Sequence, residues 1–308
     1  KFMNILFAGS PTSSSKILKY LAGLKEVHIK GAITQPDKRG KRGADLKDSE
    51  VSKVANALDL KVLKPISLDE RIFKDEIESL DTDFLVVVAY GKLLPKWLLR
   101  HPKIMSVNVH FSILPIYRGA SPIQSALING DSQSGVSFMQ MTDALDEGPI
   151  ILNKSLEVNK DDNKITLEEK LTDLSIKNIL KVLEDLKKGS ITPSEQNHSL
   201  ATYCTKISKD DSLIDFKDSA TNIINKFKAY FEWPGLSFIH RENRIKIHEI
   251  SIVNEESSGV AGSFNRIDSS GIYFNTSDLL VVITYLQFPN KNIISSLDAF
   301  NSYRSFFE

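Results

Sequence analysis

Cysteine occurs once in the 308 residues, as Cys204. An intrachain disulfide is therefore impossible, and a reducing compartment is expected. No apolar run approaches the roughly 20 residues that a membrane-spanning helix needs. The strand-like run at residues 5–8 also begins too early to leave space for a signal peptide ahead of it. The expectation is a cytoplasmic protein with no membrane partner. An excess of charge is missing as well. The 39 Lys and Arg balance 39 Asp and Glu, so the field of the whole molecule does not draw in a polyanion. Other absences narrow the chemistry. Gly9-Ser10-Pro11 follows the first strand, where a nucleotide fold carries its glycine fingerprint, but the later glycines are missing and Pro11 lacks an amide donor. A dinucleotide cofactor is thus disfavoured, and Gly9 reads as a turn residue. The six histidines show no metal-ligand spacing, so no metal is expected. No G-x-S-x-G elbow marks a serine hydrolase.

What is present is globular: 41% hydrophobic residues, enough for a sizeable core in a chain whose length favours two domains. Strand-like runs at 5–8, 27–34, 61–63, 84–89, 104–110, 136–141 and 149–158 alternate with helical patterns at 13–24, 49–60, 68–80, 121–129 and 166–188. Thr166 and Glu169 have the spacing of a capping box for the last of these helices. Such alternation predicts an α/β domain with a doubly wound, mostly parallel sheet. A polar stretch with Pro193 and Asn197 then reads as a linker. Beyond it only residues 219–230 look helical, and short strands between turns predict a small β-barrel. The predicted organisation is a catalytic domain at 1–189, a linker at 190–204 and a second domain at 205–308.

The run at 104–109 is mostly apolar and reads as a buried strand that ends at Asn108-Val109-His110. Side chains alternate along a strand, so Asn108 and His110 share one side. That puts an amide and an imidazole together at a strand end, where open α/β sheets hold their ligands. A strand-end histidine serves equally well as a hydrogen-bonded structural residue. Asp146-Glu147-Gly148 is, taken alone, an ordinary turn between two strands.

Taken together these segments resemble the folate-dependent formyltransferases. Asn108-Val109-His110, Ser112-Ile113-Leu114-Pro115, Arg118-Gly119 and the downstream Asp146 with Gly148 are similar to that family's N-x-H, S-L-L-P, R-G and Asp signatures. Ile113 stands where Leu is usual, Tyr117 where Trp is common, and Ser121 where Ala is. Pro122-Ile123-Gln124, Trp233-Pro234-Gly235, residues 201–206 and 214–216, and Leu286-Gln287 with Lys291 resemble the members that act on initiator tRNA. The likeness therefore covers nearly the whole chain. It implies a Rossmann-like formyltransferase domain followed by an OB-like barrel. The implied reaction moves a formyl group from 10-formyltetrahydrofolate, as co-substrate, to the amine of methionyl initiator tRNA, with no metal and with the chain acting as a monomer.

The resemblance also implies roles. The substrate amine is itself the nucleophile, so the chain must supply an oxyanion donor and a proton route. Asn108 would donate to the oxyanion, His110 would hold or relay the proton, and Asp146 would stabilise a protonated His110 and act, directly or through water, as the base. Ser112, Ile113, Leu114 and Pro115 would wall the folate site, with Tyr90 and Gly91 lining the same cleft. Lys38, Arg39, Lys41 and Arg42 pack four cations around two glycines. Such a run is as readily a solvated loop as a grip on a single-stranded acceptor end. The second domain is not basic, with eleven Lys and Arg against thirteen Asp and Glu over residues 205–308. The sequence leaves two other readings open. One is a formyltransferase for an amino-sugar nucleotide, and the other is a non-catalytic RNA-binding protein.

Overall fold

A computed structural model of the chain describes residues 2–39 and 46–308, with the backbone alone for Lys38 and Arg39. Two compact units emerge. The first comprises Lys1–Pro122, Gln133–Glu157 and Leu167–Cys204, and the second Ile123–Ser132, Val158–Thr166 and Thr205–Glu308.

The first unit is built on a seven-stranded sheet. Its spatial order is Ile150–Glu157, Gln133–Gln140, Met105–His110, Phe84–Val88, Met3–Gly9, Val27–Ile33, Val62–Leu63. Phe84–Val88 is buried at every position, as its unbroken Val-rich sequence requires of a strand covered on both faces. Five neighbouring strands run parallel, whereas Gln133–Gln140 pairs antiparallel with both Met105–His110 and Ile150–Glu157. The sheet is accordingly mixed. Apolar patterning identifies a strand but carries no sign of its direction, which the connections decide.

At the carboxyl ends of the parallel strands, small polar side chains tie the loops together. The Thr34 hydroxyl lies 2.5 Å from that of Ser49 and 3.3 Å from that of Ser10, and the Gln35 amide donates to the Tyr90 carbonyl at 2.9 Å. Ser49 caps the Glu50–Ala57 helix by accepting from the Ser52 amide. Gly9 proves to be the last residue of its strand rather than a turn residue. A Cβ there would lie 2.6 Å from the Val88 carbonyl oxygen and 2.7 Å from the Ser14 side chain, so close approach of helix and neighbouring strand is what calls for glycine.

The long helix runs from Lys164 to Lys188, starting two residues before the predicted cap at Thr166. Asn163 is the capping residue. Its side chain accepts from the amides of Ile165 and Thr166, and the Thr166 hydroxyl accepts in return from the Asn163 amide. The reciprocal pair is therefore Asn163 with Thr166, and the Thr166–Glu169 spacing is incidental. Leu167, Leu171, Ile179, Val182, Leu183 and Leu186 are buried along one stripe of this helix.

The second unit carries a six-stranded antiparallel sheet in the order Leu236–His240, Asn243–Glu256, Leu279–Gln287, Gly271–Asn275, Phe264–Asp268, with Ile293–Ser295 also paired to Leu279–Gln287. Phe216 stacks on Phe274 at 4.2 Å between centroids, and Phe238 meets both edge-on. The Ala220–Ala229 helix matches the sequence expectation and begins at a Ser219 cap. A further helix, Ser296–Phe307, goes beyond that expectation. Its start has a sequence signal, because Ser295 and Asp298 form a capping box. Non-helical backbone at Tyr303, however, breaks the 3.6-residue period by which the remainder would be recognised.

His240 lies among the rings of Phe264, Phe274, Phe306 and Phe307 and bonds the Phe306 carbonyl at 3.1 Å. Burial, aided by neighbouring Arg241, holds its imidazole below the ordinary histidine range. A histidine whose pKa is lower in the folded than in the unfolded chain leaves stability intact above the unfolded value of about 6.5 and removes it as pH falls through the folded value. Acidification from pH 7 to 5.5 is therefore expected to lower the melting temperature of the wild type more than that of H240Q. Parallel melting curves for the two proteins would show the histidine to be unimportant.

Candidate active site

Met105–His110 lies inside the sheet, with Val87 opposite Asn108 on one side and Met139 opposite Asn108 on the other. Alternation aims Asn108 and His110 to one face, and the connection between the two antiparallel strands brings Asp146 back to meet them. Asn108 donates its amide to Asp146 Oδ1 at 3.4 Å, and His110 Nδ1 stands 3.8 Å from Asp146 Oδ2. His110 and Asp146 are 6% and 8% exposed, more enclosed than strand-end and turn positions ordinarily are. The tautomer of His110 follows from its partners. Nε2 lies 2.9 Å from the Tyr117 carbonyl oxygen, which can only accept, so Nε2 carries the proton. In the neutral ring Nδ1 then holds the free lone pair, facing the carboxylate.

Asp146 accepts a further hydrogen bond from the backbone. The Gly119 amide donates to its Oδ2 at 2.8 Å, so both carboxylate oxygens receive a donor. Gly119 has φ +118° and lies flat against residues 203–204, where a Cβ would collide with the Cys204 carbonyl. The segment 190–204 is held along its length against the rest of the first unit. Ser194 exchanges two backbone hydrogen bonds with Ile150, Thr202 accepts from the Tyr117 and Arg118 amides, and Tyr203–Cys204 pairs parallel to Arg118–Gly119. Beneath it Arg118 is 1% exposed, yet each nitrogen of its guanidinium is satisfied. Nε and Nη2 reach Gln196 Oε1 at 3.1 and 2.8 Å, Nη2 also reaches His198 Nδ1 at 2.9 Å, and Nη1 donates to the Tyr203 hydroxyl at 3.2 Å and stands 3.5 Å from Glu147. In the sequence Arg118 is visible only as half of an R-G signature. Gln196 carries no sequence signal at all, since it sits in a polar stretch without periodicity.

The residues expected to wall a ligand site occupy different settings. Ser112 donates its hydroxyl to the Ile116 carbonyl at 2.6 Å, and Leu114 is buried with its amide on Ser137 Oγ, leaving Ile113 and Pro115 partly exposed. Tyr90 follows the Phe84–Val88 strand and belongs to a buried apolar cluster with Leu68 and Leu98, against which Leu94 and Trp97 pack. Its buried hydroxyl has no hydrogen-bond partner among the described residues, and burial pushes the phenol up to about 12, so it remains a neutral donor. Gly91 has φ +84°, and the residues after it, 92–95, line a cleft of about 360 Å³ together with residues 66–69. Lys41 and Arg42 lie outside the described residues. Lys38–Arg39 forms a short antiparallel ladder with Leu46–Lys47. Among the described residues, no group of three or more His, Cys, Asp or Glu is placed to hold a metal ion, and no helix is long and apolar enough to cross a membrane.

Comparison with known proteins identifies the family of the chain. The formyl transferase family model matches residues 2–183, and the model of the formyl transferase C-terminal domain matches residues 206–304. A methionyl-tRNA formyltransferase of Legionella pneumophila strain Philadelphia 1 is 37% identical over 300 residues, covering 97% of this chain and 95% of that protein. Among solved structures, an N-formyltransferase from Helicobacter canadensis, in complex with folinic acid and dTDP-3-aminofucose, shares the fold with a TM-score of 0.68. Its identity is 19%, over 94% of this chain and all of that one. HypX from Aquifex aeolicus also has a TM-score of 0.68, at 15% identity. It matches the full length of this chain, which spans only 49% of HypX. Because formyl transferase models account for both halves and the likeness to the Legionella protein runs nearly end to end, this chain belongs to the methionyl-tRNA formyltransferase family, whose chemistry is formyl-group transfer.

Proposed function

We propose that the chain moves the formyl group of 10-formyltetrahydrofolate to the amine of methionyl initiator tRNA, and that Asn108, His110 and Asp146 are its catalytic residues. The observation that carries this reading is the convergence of the Asn108 amide and His110 Nδ1 on a single carboxylate, Asp146. The amine attacks the formyl carbon, a tetrahedral intermediate forms, and the C–N bond to the folate nitrogen then breaks. The amine must lose a proton and the departing nitrogen must gain one. His110 Nδ1, with its lone pair free when neutral and an N–H when charged, suits both transfers, and Asp146 opposite stabilises the charged form. Asn108 has a second amide hydrogen beyond the one it gives Asp146, available for the developing oxyanion.

Ile113 and Pro115, the partly exposed members of the 112–115 turn, would offer apolar surface to the pteridine, with Ser112 and Leu114 holding the turn in shape. Tyr90 and Gly91 would line the same cleft. Residues 1–189 would serve as the catalytic domain, 190–204 as its connection onward and 205–308 as a second, tRNA-facing domain. The 14-residue strand Asn243–Glu256, with three register shifts against its partner, has the bulges by which a sheet curls toward an OB-like barrel. Lys38, Arg39, Lys41 and Arg42 would grip the acceptor end. The chain would act as a cytoplasmic monomer.

Incubation of the purified chain with 10-formyltetrahydrofolate and charged initiator tRNA is expected to yield formylmethionyl-tRNA. Transfer to a dTDP-linked amino sugar, with none to the charged tRNA, would replace this reading by the sugar-directed one.

A further inference from the structure

Gln196 is 6% exposed, and its side-chain amide makes four hydrogen bonds to protein oxygens and nitrogens. Nε2 donates to the carbonyl oxygens of Asp146 at 2.8 Å and Gly148 at 2.7 Å, while Oε1 accepts from Arg118 Nε at 3.1 Å and Nη2 at 2.8 Å. The orientation of the amide is forced, since a guanidinium can only donate and a carbonyl can only accept. Its two donors thus fasten the turn at Asp146 itself and two residues beyond it. Asp146 has φ +55°, a left-handed backbone that a non-glycine residue keeps only where its surroundings hold it. The carboxylate's own partners, Asn108 and the Gly119 amide, fix its far end. Gln196 fixes the near end, and the backbone at Asp146 sets where the carboxylate stands relative to His110 Nδ1.

We infer that Gln196 is a positioning residue for the transfer reaction, acting through Asp146 and itself touching no reacting group. Arg118, buried and paired on all sides, is the anchor from which Gln196 reaches the turn. The inference rests on the assignment of Asp146 to formyl transfer. A misplacement of about 1 Å at a reacting group costs on the order of 10²-fold in rate, so this hydrogen-bond pair acts on turnover more than on substrate binding.

Two variants of the full chain separate positioning from simple adhesion of residues 190–204. Q196E keeps an acceptor for Arg118 but sets an oxygen against the Asp146 and Gly148 carbonyls. Q196M keeps the shape and removes every hydrogen bond of the side chain. With charged initiator tRNA and 10-formyltetrahydrofolate, Q196E is expected to lose at least tenfold in kcat, with KM for both substrates within about twofold of wild type. Amide hydrogen exchange supplies a readout independent of activity. In Q196E the Gly119 amide, bonded to the Asp146 carboxylate, is expected to lose protection. The Arg118 and Ala120 amides, bonded to the Thr202 and Cys204 carbonyls, are expected to retain it. Should Q196M fail to fold, Q196E alone carries the test. A kcat within twofold of wild type in Q196E would overturn the inference, as would joint loss of protection at Arg118, Gly119 and Ala120, which marks mere detachment of the segment. Absence of turnover in the wild type would instead remove the proposed substrates, and the Gly119 exchange would then decide the positioning role by itself.

Discussion

Conversion of Asp146 to Asn is expected to reduce kcat by about 10²–10⁴-fold, the usual worth of a positioned acid–base group, while the protein still folds. The substitution keeps the volume of a side chain that is only 8% exposed, so no cavity opens. What changes is the inventory of acceptors. In the wild type both Asp146 oxygens receive donors, from Gly119 N and Asn108 Nδ2. A carboxamide has one acceptor and would turn its own N–H groups toward the other donor. It also removes the negative charge 3.8 Å from His110 Nδ1, without which an imidazolium formed during transfer loses its counter-charge. H110Q is expected to fall within the same range, because glutamine cannot exchange a proton. N108A should lose about 10²–10³-fold through the missing oxyanion donor, with formyl-folate affinity little altered. Single-turnover kinetics, with circular dichroism to verify folding, test all three. Near-normal turnover in D146N or H110Q would remove these residues from the proton route.

Replacement of Lys38, Arg39, Lys41 and Arg42 together by Ser is expected to raise KM for methionyl initiator tRNA and leave formyl-folate affinity unchanged. For each phosphate that is no longer neutralised, the dependence of log K on log salt should flatten by about 0.7 for a single strand. The effect can be large because the rest of the chain offers little compensation. Net charge is zero overall, and residues 205–308 carry more acidic than basic side chains. A drop in kcat alongside the rise in KM would mean that one of the four cations also helps to place the aminoacyl end. KM and salt slope, measured at two ionic strengths, distinguish the outcomes. If neither moves, the loop is only solvated, and tRNA recognition rests with the second unit.

The sequence is most informative where function depends on near neighbours along the chain. Asn108 and His110 share a face because the strand repeat is two residues. Ser49 and Ser219 cap their helices because a hydroxyl at that position reaches an amide three residues on. Even within this range an interrupted period defeats the reading. The Ser296–Phe307 helix begins with a capping box and yet reads as irregular chain, because Tyr303 departs from helical backbone. The Thr166 cap fails for a related reason: Asn163 offers the same chemistry three residues earlier and wins the reciprocal bond.

Sequence alone therefore determined the alternation of strands and helices, the shared side of Asn108 and His110, the exclusion of an intrachain disulfide and, through its signatures, the likeness to formyltransferases. The tertiary structure decided which way the strands run, how deeply His110 and Asp146 are enclosed, and which nitrogen of His110 faces the carboxylate. It also decided that a polar segment without any pattern of its own supplies Gln196 to the turn of Asp146. The physical reason is distance along the chain. Asn108 and Asp146 are 38 positions apart, Gln196 and Asp146 50, and Arg118 and Gln196 78. Hydrogen bonds across such separations exist only after the sheet has ordered its strands, and local periodicity carries no record of that order.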